Sequence, residues 1–428
     1  MTDNNVKRKA WTLAWLLVWH AIFVSLQAQE VVDSDELMMP QEVQHADTFV
    51  VDSVVVDTAL VWPQNIQARI DLLLQNKMFE KSTVGLMVYD LTADSVVFKY
   101  NERQCMRPAS TMKMISAVTA LDRLGGSYQF KTQLKYTGKV ANGVLEGNVY
   151  CQGGFDPRFN NDDMNAFVES LRRMGIDTIR GNVYADLSMK DSDLLGEGWC
   201  WDDDNPVLTP LLLSGKDRFM QRFCKELKDA KIVLTGDTLR GTTPHNAFDL
   251  CTRFHTMDQI LMRMMKKSDN LYAEAMFYQT AAAQGGRGAT AKDGRTLTNR
   301  LISKLGFNSK DFYVADGSGL SLYNYVSPEL EVAFLRYAYR NSAIFIHLLP
   351  SLPIAGVDGT LEKRMKNGFA HENVKAKTGT VTGVSALTGY CTAANGHYLC
   401  FSIINMGIRK AAVGRTFQDL VCEALCAP

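Results

Sequence analysis

Ser110 and Lys113 are the first residues along the chain whose types and spacing could do chemistry. They lie three positions apart in the stretch 107–114, and residues at that spacing share one face of a helix. A serine hydroxyl needs a base to take its proton, and a lysine held neutral by burial or by a nearby positive charge can be that base. Because Ser-x-x-Lys is short enough to occur by chance, the pair needs support from other parts of the chain.

A second motif, formed by Ser268, Asp269 and Asn270, lies between two stretches of helical periodicity. These are Met257–Lys266 and a predicted helix over 271–283. A short polar loop between two apolar helices can present a hydroxyl and an amide to a cleft. Capping of the second helix by Ser268 or Asp269 is the alternative explanation.

Lys377, Thr378 and Gly379 form a third motif, in the stretch 374–380, which is predicted to be a strand. An ammonium and a hydroxyl at a cleft edge suit a peptide that ends in a free carboxylate. The glycine would let a substrate backbone approach closely. A strand end followed by a turn would explain Lys-Thr-Gly equally well.

The segments around the motifs must position these side chains. A helix that begins near Ile66 and a hairpin with strands at 84–89 and 95–100 lead directly into Ser110. An apolar stripe then predicts a helix that ends at Gly125. Further strands are predicted after the third motif, over 384–392 and 399–406.

The predicted secondary structure changes over residues 130–242, where short strands with alternating apolar residues surround one helix over 164–174. This pattern predicts an α+β insertion between the first two motifs. An aromatic and acidic stretch at 199–204 could touch a ligand, although buried aromatic rings and a solvated acidic loop also explain it.

The three motifs in this order are typical of penicillin-binding proteins and class A β-lactamases. The intervening sequence resembles one family more closely, the D-alanyl-D-alanine carboxypeptidase/endopeptidase family of penicillin-binding proteins (class C low-molecular-mass, penicillin-binding protein 4 type). The resemblance runs from about residue 65 to the C-terminus. The stretches that carry it are 153–157, 198–203, 316–321 with Asn324, 353–361, 375–380 and 383–387.

The resemblance implies a catalytic role for four side chains. Ser110 attacks the peptide carbonyl with Lys113 as its base, Ser268 relays a proton to the leaving amine, and Lys377 contributes a positive field. The backbone N–H groups of Ser110 and Thr380 are expected to stabilise the oxyanion, at about 3 kcal/mol per donor.

The resemblance also implies the substrate-binding residues. Asn270 holds the amide on the acyl side, while Lys377 and Thr378 bind the terminal carboxylate. Gly379 and Thr380 complete the strand edge along which the substrate lies. The expected partners are peptidoglycan stem peptides ending in D-Ala-D-Ala, with β-lactam antibiotics as covalent inhibitors. No metal or organic cofactor is implied.

The expected fold is of the α/β (α+β) class, a transpeptidase/β-lactamase-like domain with an antiparallel sheet covered by helices and a smaller α+β insertion. The spacing of Ser110 and Ser268 is shorter than in the best-known members, so one inserted domain is expected and a second is missing. The predicted divisions are a signal peptide at 1–28, a flexible spacer at 29–62, a discontinuous catalytic domain at 63–129 and 243–428, and the insertion at 130–242.

The N-terminus predicts export to the periplasm or cell envelope. Lys7, Arg8 and Lys9 precede an apolar run over 10–26, and a small residue, Ala28, precedes the polar sequence that follows. An uncleaved membrane anchor is the alternative, since the run is near the lower length limit for a membrane span. The equal numbers of basic and acidic residues, 46 each, give no electrostatic support for a nucleic-acid partner.

Three alternative functions share part of this evidence. A serine β-lactamase uses the same attack but commonly needs a Glu-x-x-Leu-Asn loop for deacylation, and Glu329-Leu330-Glu331 lacks the Asn. A catalytically silent peptidoglycan-binding protein would keep the fold, but every motif side chain is present here. A zinc peptidase would need clustered ligands, and the seven histidines are scattered.

Nine cysteines in an exported chain leave at least one without an intramolecular partner. If Asn395 and Gly396 form a two-residue hairpin turn, Cys391 and Cys400 lie directly opposite each other. They could then form a cross-strand disulfide. Two buried neighbouring thiols are the alternative.

Overall fold

The computed structural model describes residues 60–283 and 287–428. The predicted signal peptide and most of the predicted spacer lie outside these residues. The strands are β1 (Thr83–Asp90), β2 (Ser95–Tyr100), β3 (Gln129–Tyr136), β4 (Lys139–Ala141), β5 (Val144–Glu146), β6 (Val149–Gln152), β7 (Thr178–Arg180), β8 (Val183–Asp186), β9 (Val233–Leu234), β10 (Thr238–Arg240), β11 (Phe248–Thr256), β12 (Lys375–Val381), β13 (Val384–Thr392) and β14 (Tyr398–Met406).

The α-helices share one feature, an apolar side that packs on a sheet or on another helix. They are α1 (Gln64–Leu74), α2 (Met112–Leu124), α3 (Asn161–Arg173), α4 (Phe219–Asp229), α5 (Met257–Lys266), α6 (Asn270–Ala282), α7 (Ala291–Lys304), α8 (Pro328–Arg340), α9 (Ser342–Ser351) and α10 (Ala411–Cys426). Within the described residues, no helix has the length and apolar character needed to cross a membrane.

The central sheet is antiparallel throughout, in the order β12-β13-β14-β1-β2. Alternate side chains of its strands belong to two separate cores, as the two-residue period of a strand requires. On one face Met87 and Tyr89 pack with helices α2, α5, α6, α8 and α9. On the other, Leu86 and Val88 pack with α1 and α10. The predicted antiparallel sheet covered by helices is confirmed.

Two smaller sheets lie between the first and second motifs. One has the order β10-β8-β6-β3-β11, and the other β4-β5-β7-β9. Strand β11 lies beyond residue 242, where the insertion was predicted to end, and pairs along its whole length with β3. The division at 130 and 242 therefore cuts through one sheet, and the domain boundaries stay a prediction.

The cross-strand pairing of Cys391 with Cys400 is wrong. The backbone N–H of Ala393 donates to His397 O at 2.9 Å, so the turn is one residue longer than a two-residue hairpin turn, and Cys391 lies opposite Leu399. A shift of one residue moves a side chain to the other face of a sheet. Cys391 and Cys400 accordingly belong to different cores, and both are free thiols.

Candidate active site

The turn that carries Ser110 has a strained backbone. Ala109 has φ +48°, in the left-handed region that residues with a Cβ rarely occupy. A short 3₁₀ turn over Ala109–Thr111 follows and runs into helix α2. Gly319 closes over this turn so tightly that a Cβ there would lie 1.8 Å from Ala109 O. The local sequence thus presents Ser110 at the start of a buried helix.

Lys113 lies one turn further along and is fully buried. Its Nζ donates to Ser110 Oγ at 2.9 Å, to Asn270 Oδ1 at 2.7 Å and to the backbone O of Ser318 at 2.8 Å. The first and second motifs therefore meet at one amine. Burial lowers the pKa of Lys113 to about 8, and the carboxylates of Asp316 and Glu274 oppose this shift.

The carbonyl of Ser318 is held in place by a network of acidic side chains. Glu274, fully buried on α6, accepts from the backbone N–H of Ser318 at 2.8 Å and of Gly317 at 3.2 Å. Burial, and then the neighbouring Asp316 carboxylate, raise the pKa of Glu274 to about 8. The sequence offered one unused signal for Glu274: it lies four residues after Asn270, on the same helix face, in an otherwise apolar helix.

Asp316 closes the loop that contains Ser318. One of its carboxylate oxygens accepts from Gly319 N and from Asn324 Nδ2, both at 2.8 Å. The other accepts from Ser321 N at 2.7 Å and from Trp199 Nε1 at 2.8 Å. The aromatic stretch at 199–204 thus contacts the loop behind the active site.

The second motif begins with Ser268, which has φ +56° between helices α5 and α6. Asp269 takes the N-cap position of α6, but its carboxylate accepts from Arg263 Nε at 2.9 Å and makes no cap hydrogen bond. Asn270 is the first residue of α6, which directs its amide oxygen to Lys113. Helix capping therefore does not account for this motif.

Lys377 is the charged side chain of the third motif and is fully buried on β12. Its Nζ donates to Ser268 Oγ at 2.7 Å and to Thr378 O at 2.6 Å. Burial, and then the nearby charge of Lys113, hold the pKa of Lys377 well below its usual range. The hydroxyl of Thr378 donates to Thr360 Oγ1 at 2.8 Å, and Thr380 is exposed.

Gly379 brings β12 against the turn over 108–111, which carries the predicted nucleophile Ser110 and is called the nucleophile turn below. A Cβ at this position would lie 2.7 Å from Pro108 O and 3.0 Å from the backbone nitrogens of both Ser110 and Thr111. Side chains larger than hydrogen would push the strand away. The structure thus places each predicted site residue around one centre, with Thr380 at its exposed rim.

A cleft of about 590 Å³ opens beside Asp269 and Asn270. Arg158, Lys216 and Tyr272 also line this cleft. Among residues 60–283 and 287–428, no three His, Cys, Asp or Glu side chains cluster as metal ligands would.

Comparison with known proteins gives one family match along most of the chain. The model of the D-Ala-D-Ala carboxypeptidase 3 (S13) family matches residues 66–211 and 213–425. The D-alanyl-D-alanine carboxypeptidase DacB of Haemophilus influenzae is 27% identical over 413 residues, which cover 77% of this chain and 86% of that protein. A D-alanyl-D-alanine carboxypeptidase of an Actinomadura species is 26% identical and covers 79% of this chain and 80% of its own length.

Solved structures give the same result for the fold. Penicillin binding protein 4 from Haemophilus influenzae superimposes with a TM-score of 0.74 at 24% identity, covering 84% of this chain and 98% of that one. The same protein complexed with a β-lactam superimposes with a TM-score of 0.70 at 25% identity, over 85% of this chain and all of that one.

Proposed function

Because the chain belongs to the D-Ala-D-Ala carboxypeptidase 3 (S13) family, we propose that it is a serine D-alanyl-D-alanine carboxypeptidase/endopeptidase that forms an acyl-enzyme on Ser110. The observation that carries this proposal is the set of contacts around Lys113 Nζ. Asn270 Oδ1 and Ser318 O can only accept, so they take the two N–H groups of a neutral amine. The lone pair is then left for the proton of Ser110.

Acylation begins as Ser110 Oγ attacks the carbonyl carbon of the penultimate D-Ala and its proton passes to Lys113 Nζ. The carbonyl oxygen becomes an oxyanion between the N–H groups of Ser110 and Thr380. The close approach of β12 to Ser110 N supports this placement. The C–N bond breaks as Ser268 Oγ–H protonates the leaving amine.

Lys377 and Thr378 receive the carboxylate of the terminal D-Ala. An opposite charge at hydrogen-bond distance raises the pKa of an ammonium, so the arriving carboxylate restores the full charge of Lys377. The same lysine, bonded to Ser268 Oγ, then returns a proton to that oxygen. Asn270 donates its amide N–H to the acyl-side carbonyl, since its oxygen is already held by Lys113.

Deacylation repeats the attack with water in place of Ser110. Before the water attacks, Lys113 releases to solvent the proton that it took from Ser110, which balances the proton that Lys377 took up when the carboxylate arrived. Neutral Lys113 then takes a proton from the water as the water oxygen attacks the ester carbon. The ester carbon–oxygen bond breaks, and Lys113 returns that proton to Ser110 Oγ. The carboxypeptidase and endopeptidase reactions differ only in the size of the leaving group, since the bond broken follows D-Ala in both cases.

Peptidoglycan stem peptides are the proposed substrate, and penicillin is a covalent inhibitor that mimics their D-Ala-D-Ala end. The named activity of the matched relatives and the β-lactam complex of the Haemophilus influenzae protein support both. Action on peptidoglycan requires export, so we also propose that residues 1–28 direct the protein to the periplasm or cell envelope. We also propose a discontinuous catalytic part at 63–129 and 243–428 with an insertion at 130–242, a division that the pairing of β3 with β11 crosses.

The test is intact mass spectrometry of residues 29–428 and of the Ser110→Ala variant after incubation with benzylpenicillin. One stable adduct on the unmodified protein alone is expected. Rapid loss of the drug without an adduct would identify a β-lactamase. A folded protein that gives neither adduct nor drug loss would overturn the proposal in favour of a silent binding protein.

A further inference from the structure

Among the residues that the structure describes, one carboxyl group beside the nucleophile turn has no charged partner. Glu331 belongs to helix α8 and is fully buried. Its two oxygens contact three hydroxyls on three different elements: Thr111, the residue after Ser110; Thr388 of β13; and Ser402 of β14. Glu331 therefore ties the turn to the two central strands of the main sheet.

The hydrogen bonds of the Thr111 hydroxyl determine whether Glu331 is protonated. Thr111 Oγ1 lies 2.7 Å from the carbonyl oxygen of Pro108 and 2.5 Å from Glu331 Oε1. A carbonyl oxygen only accepts, and a hydroxyl has one proton. If Glu331 were ionised, one of these two short oxygen–oxygen contacts would contain no proton and would be repulsive.

A protonated Glu331 supplies the missing proton. Its Oε1–H donates to Thr111 Oγ1, which donates in turn to Pro108 O. Its other oxygen accepts from Ser402 Oγ at 2.6 Å and from Thr388 Oγ1. Each of the four contacts then contains one proton.

Burial gives a second reason for the same state. The partners of Glu331 within the described part of the chain are neutral hydroxyls, with no ion pair to a basic side chain. An unpaired buried carboxylate is far more costly than a neutral acid. Burial raises the pKa of Glu331 by more than the three hydroxyls lower it.

We propose that Glu331 is a neutral carboxylic acid in the resting enzyme and a positioning residue for Ser110. By donating to Thr111 it fixes the turn over Pro108–Thr111, and with it the oxygen and the N–H of Ser110. It does not touch substrate. This inference rests on the proposed acylation of Ser110.

Paired substitutions test the positioning role. Thr111→Val and Ser402→Ala each remove one hydroxyl from the same carboxyl group, but only Thr111 adjoins the nucleophile. We expect Thr111→Val to lower the second-order rate of acylation by a fluorescent penicillin about tenfold or more, because small displacements of a reacting group are costly. Ser402→Ala and Thr111→Ser are expected to stay within about threefold of the unmodified protein. Equal rates for Thr111→Val and Ser402→Ala, at matched melting temperatures, would overturn the role.

The Glu331→Gln variant tests whether the Glu331 carboxyl group carries a proton. Glutamine keeps one donating and one accepting end, so the Glu331→Gln variant is expected to retain most of the acylation rate. Glu331→Ala leaves Thr111 without its hydrogen-bond partner, and this variant is expected to lose most of that rate. The infrared difference spectrum between the unmodified protein and Glu331→Gln should contain the carbonyl band of a neutral carboxylic acid, shifted in D₂O. Carboxylate bands in its place would refute the protonated state. If the unmodified protein forms no adduct at all, the proposed function fails, while the spectrum still reports the proton on Glu331.

Discussion

At the scale of single residues, Lys113 shows how neighbours select a protonation state. An ammonium could satisfy all three of its acceptors, but burial makes that charge costly. A neutral amine still donates to Asn270 Oδ1 and to Ser318 O. It no longer donates to Ser110 Oγ, but its lone pair can accept a hydrogen bond from the Ser110 hydroxyl instead. The same three contacts therefore serve the resting ion and the reactive base.

The acylation rate should follow the deprotonation of Lys113. With a pKa of about 8, about one-tenth of the amine is neutral at pH 7 and about half at pH 8. The rate of acylation by a fluorescent penicillin should therefore rise about tenfold per pH unit below pH 7 and level off above pH 8. Stopped-flow measurements between pH 5.5 and 9, with Lys113→Arg as an inactive control of similar charge, check this. A flat profile across this range would mean that Lys113 is not the base.

Single residues were also where prediction from the sequence was least complete. The three motifs identified Lys113 and Asn270 by type and spacing, and the structure brings both to Ser110 Oγ within one network. Glu274 and the carbonyl of Ser318 were not predicted to act there. A backbone carbonyl has no sequence signature. Glu274 lies four residues after Asn270 in an apolar helix, but this spacing alone does not distinguish a structural role from a functional one.

At the scale of elements, strand β12 and the nucleophile turn approach each other closely. Their contact depends on Gly379, since a Cβ there would meet Pro108 O at 2.7 Å. The strand also provides Lys377 and Thr378. Its distance from Ser110 therefore affects both the proposed oxyanion donors and the proposed contacts with the substrate carboxylate.

Gly379→Ala should impair acylation more than it impairs folding. The added methyl group displaces β12 from Ser110, and a shift of about 1 Å can cost about 100-fold in rate. Gly389→Ala is the matched control: its Cβ would crowd the same strand at 2.3 Å from Lys375 O, away from Ser110. Penicillin acylation rates and melting temperatures of both variants separate the two effects. A rate for Gly379→Ala no lower than that of Gly389→Ala would contradict the argument.

The positions of helices and strands along the chain could be predicted from the sequence better than the register in which the strands pair. The hydrophobic periods located α5 and the hairpin of β13 and β14 to within a residue or two. The pairing of Cys391 with Cys400 was wrong because it depended on the length of one turn. Side-chain periodicity fixes which residues of a strand share a face, but not which residue of the next strand lies opposite.

At the scale of the whole molecule, one hydrogen bond of the insertion reaches the loop that contacts Lys113. Trp199 Nε1 donates to Asp316, whose carboxylate organises the loop that offers Ser318 O to Lys113. Glu197, two residues earlier, accepts from Tyr313 Oη at 2.5 Å and pairs with Arg295. Trp199, in the stretch at 199–204 that the sequence assigned either to ligand contact or to buried rings and an acidic loop, thus links two parts of the chain.

Trp199→Phe should lower the acylation rate, because it loosens the loop that holds Lys113, without unfolding the protein. Asp316 keeps its other three donors, so its loop persists, but it loses one charge-assisted hydrogen bond of about 1.5–3 kcal/mol. If only part of that energy fixes Ser318 O, acylation falls about threefold to tenfold. Trp201→Phe is the control, since Trp201 is 84% exposed. Acylation by Trp199→Phe as fast as by Trp201→Phe would mean that the loop around Asp316 holds its shape without the hydrogen bond from Trp199.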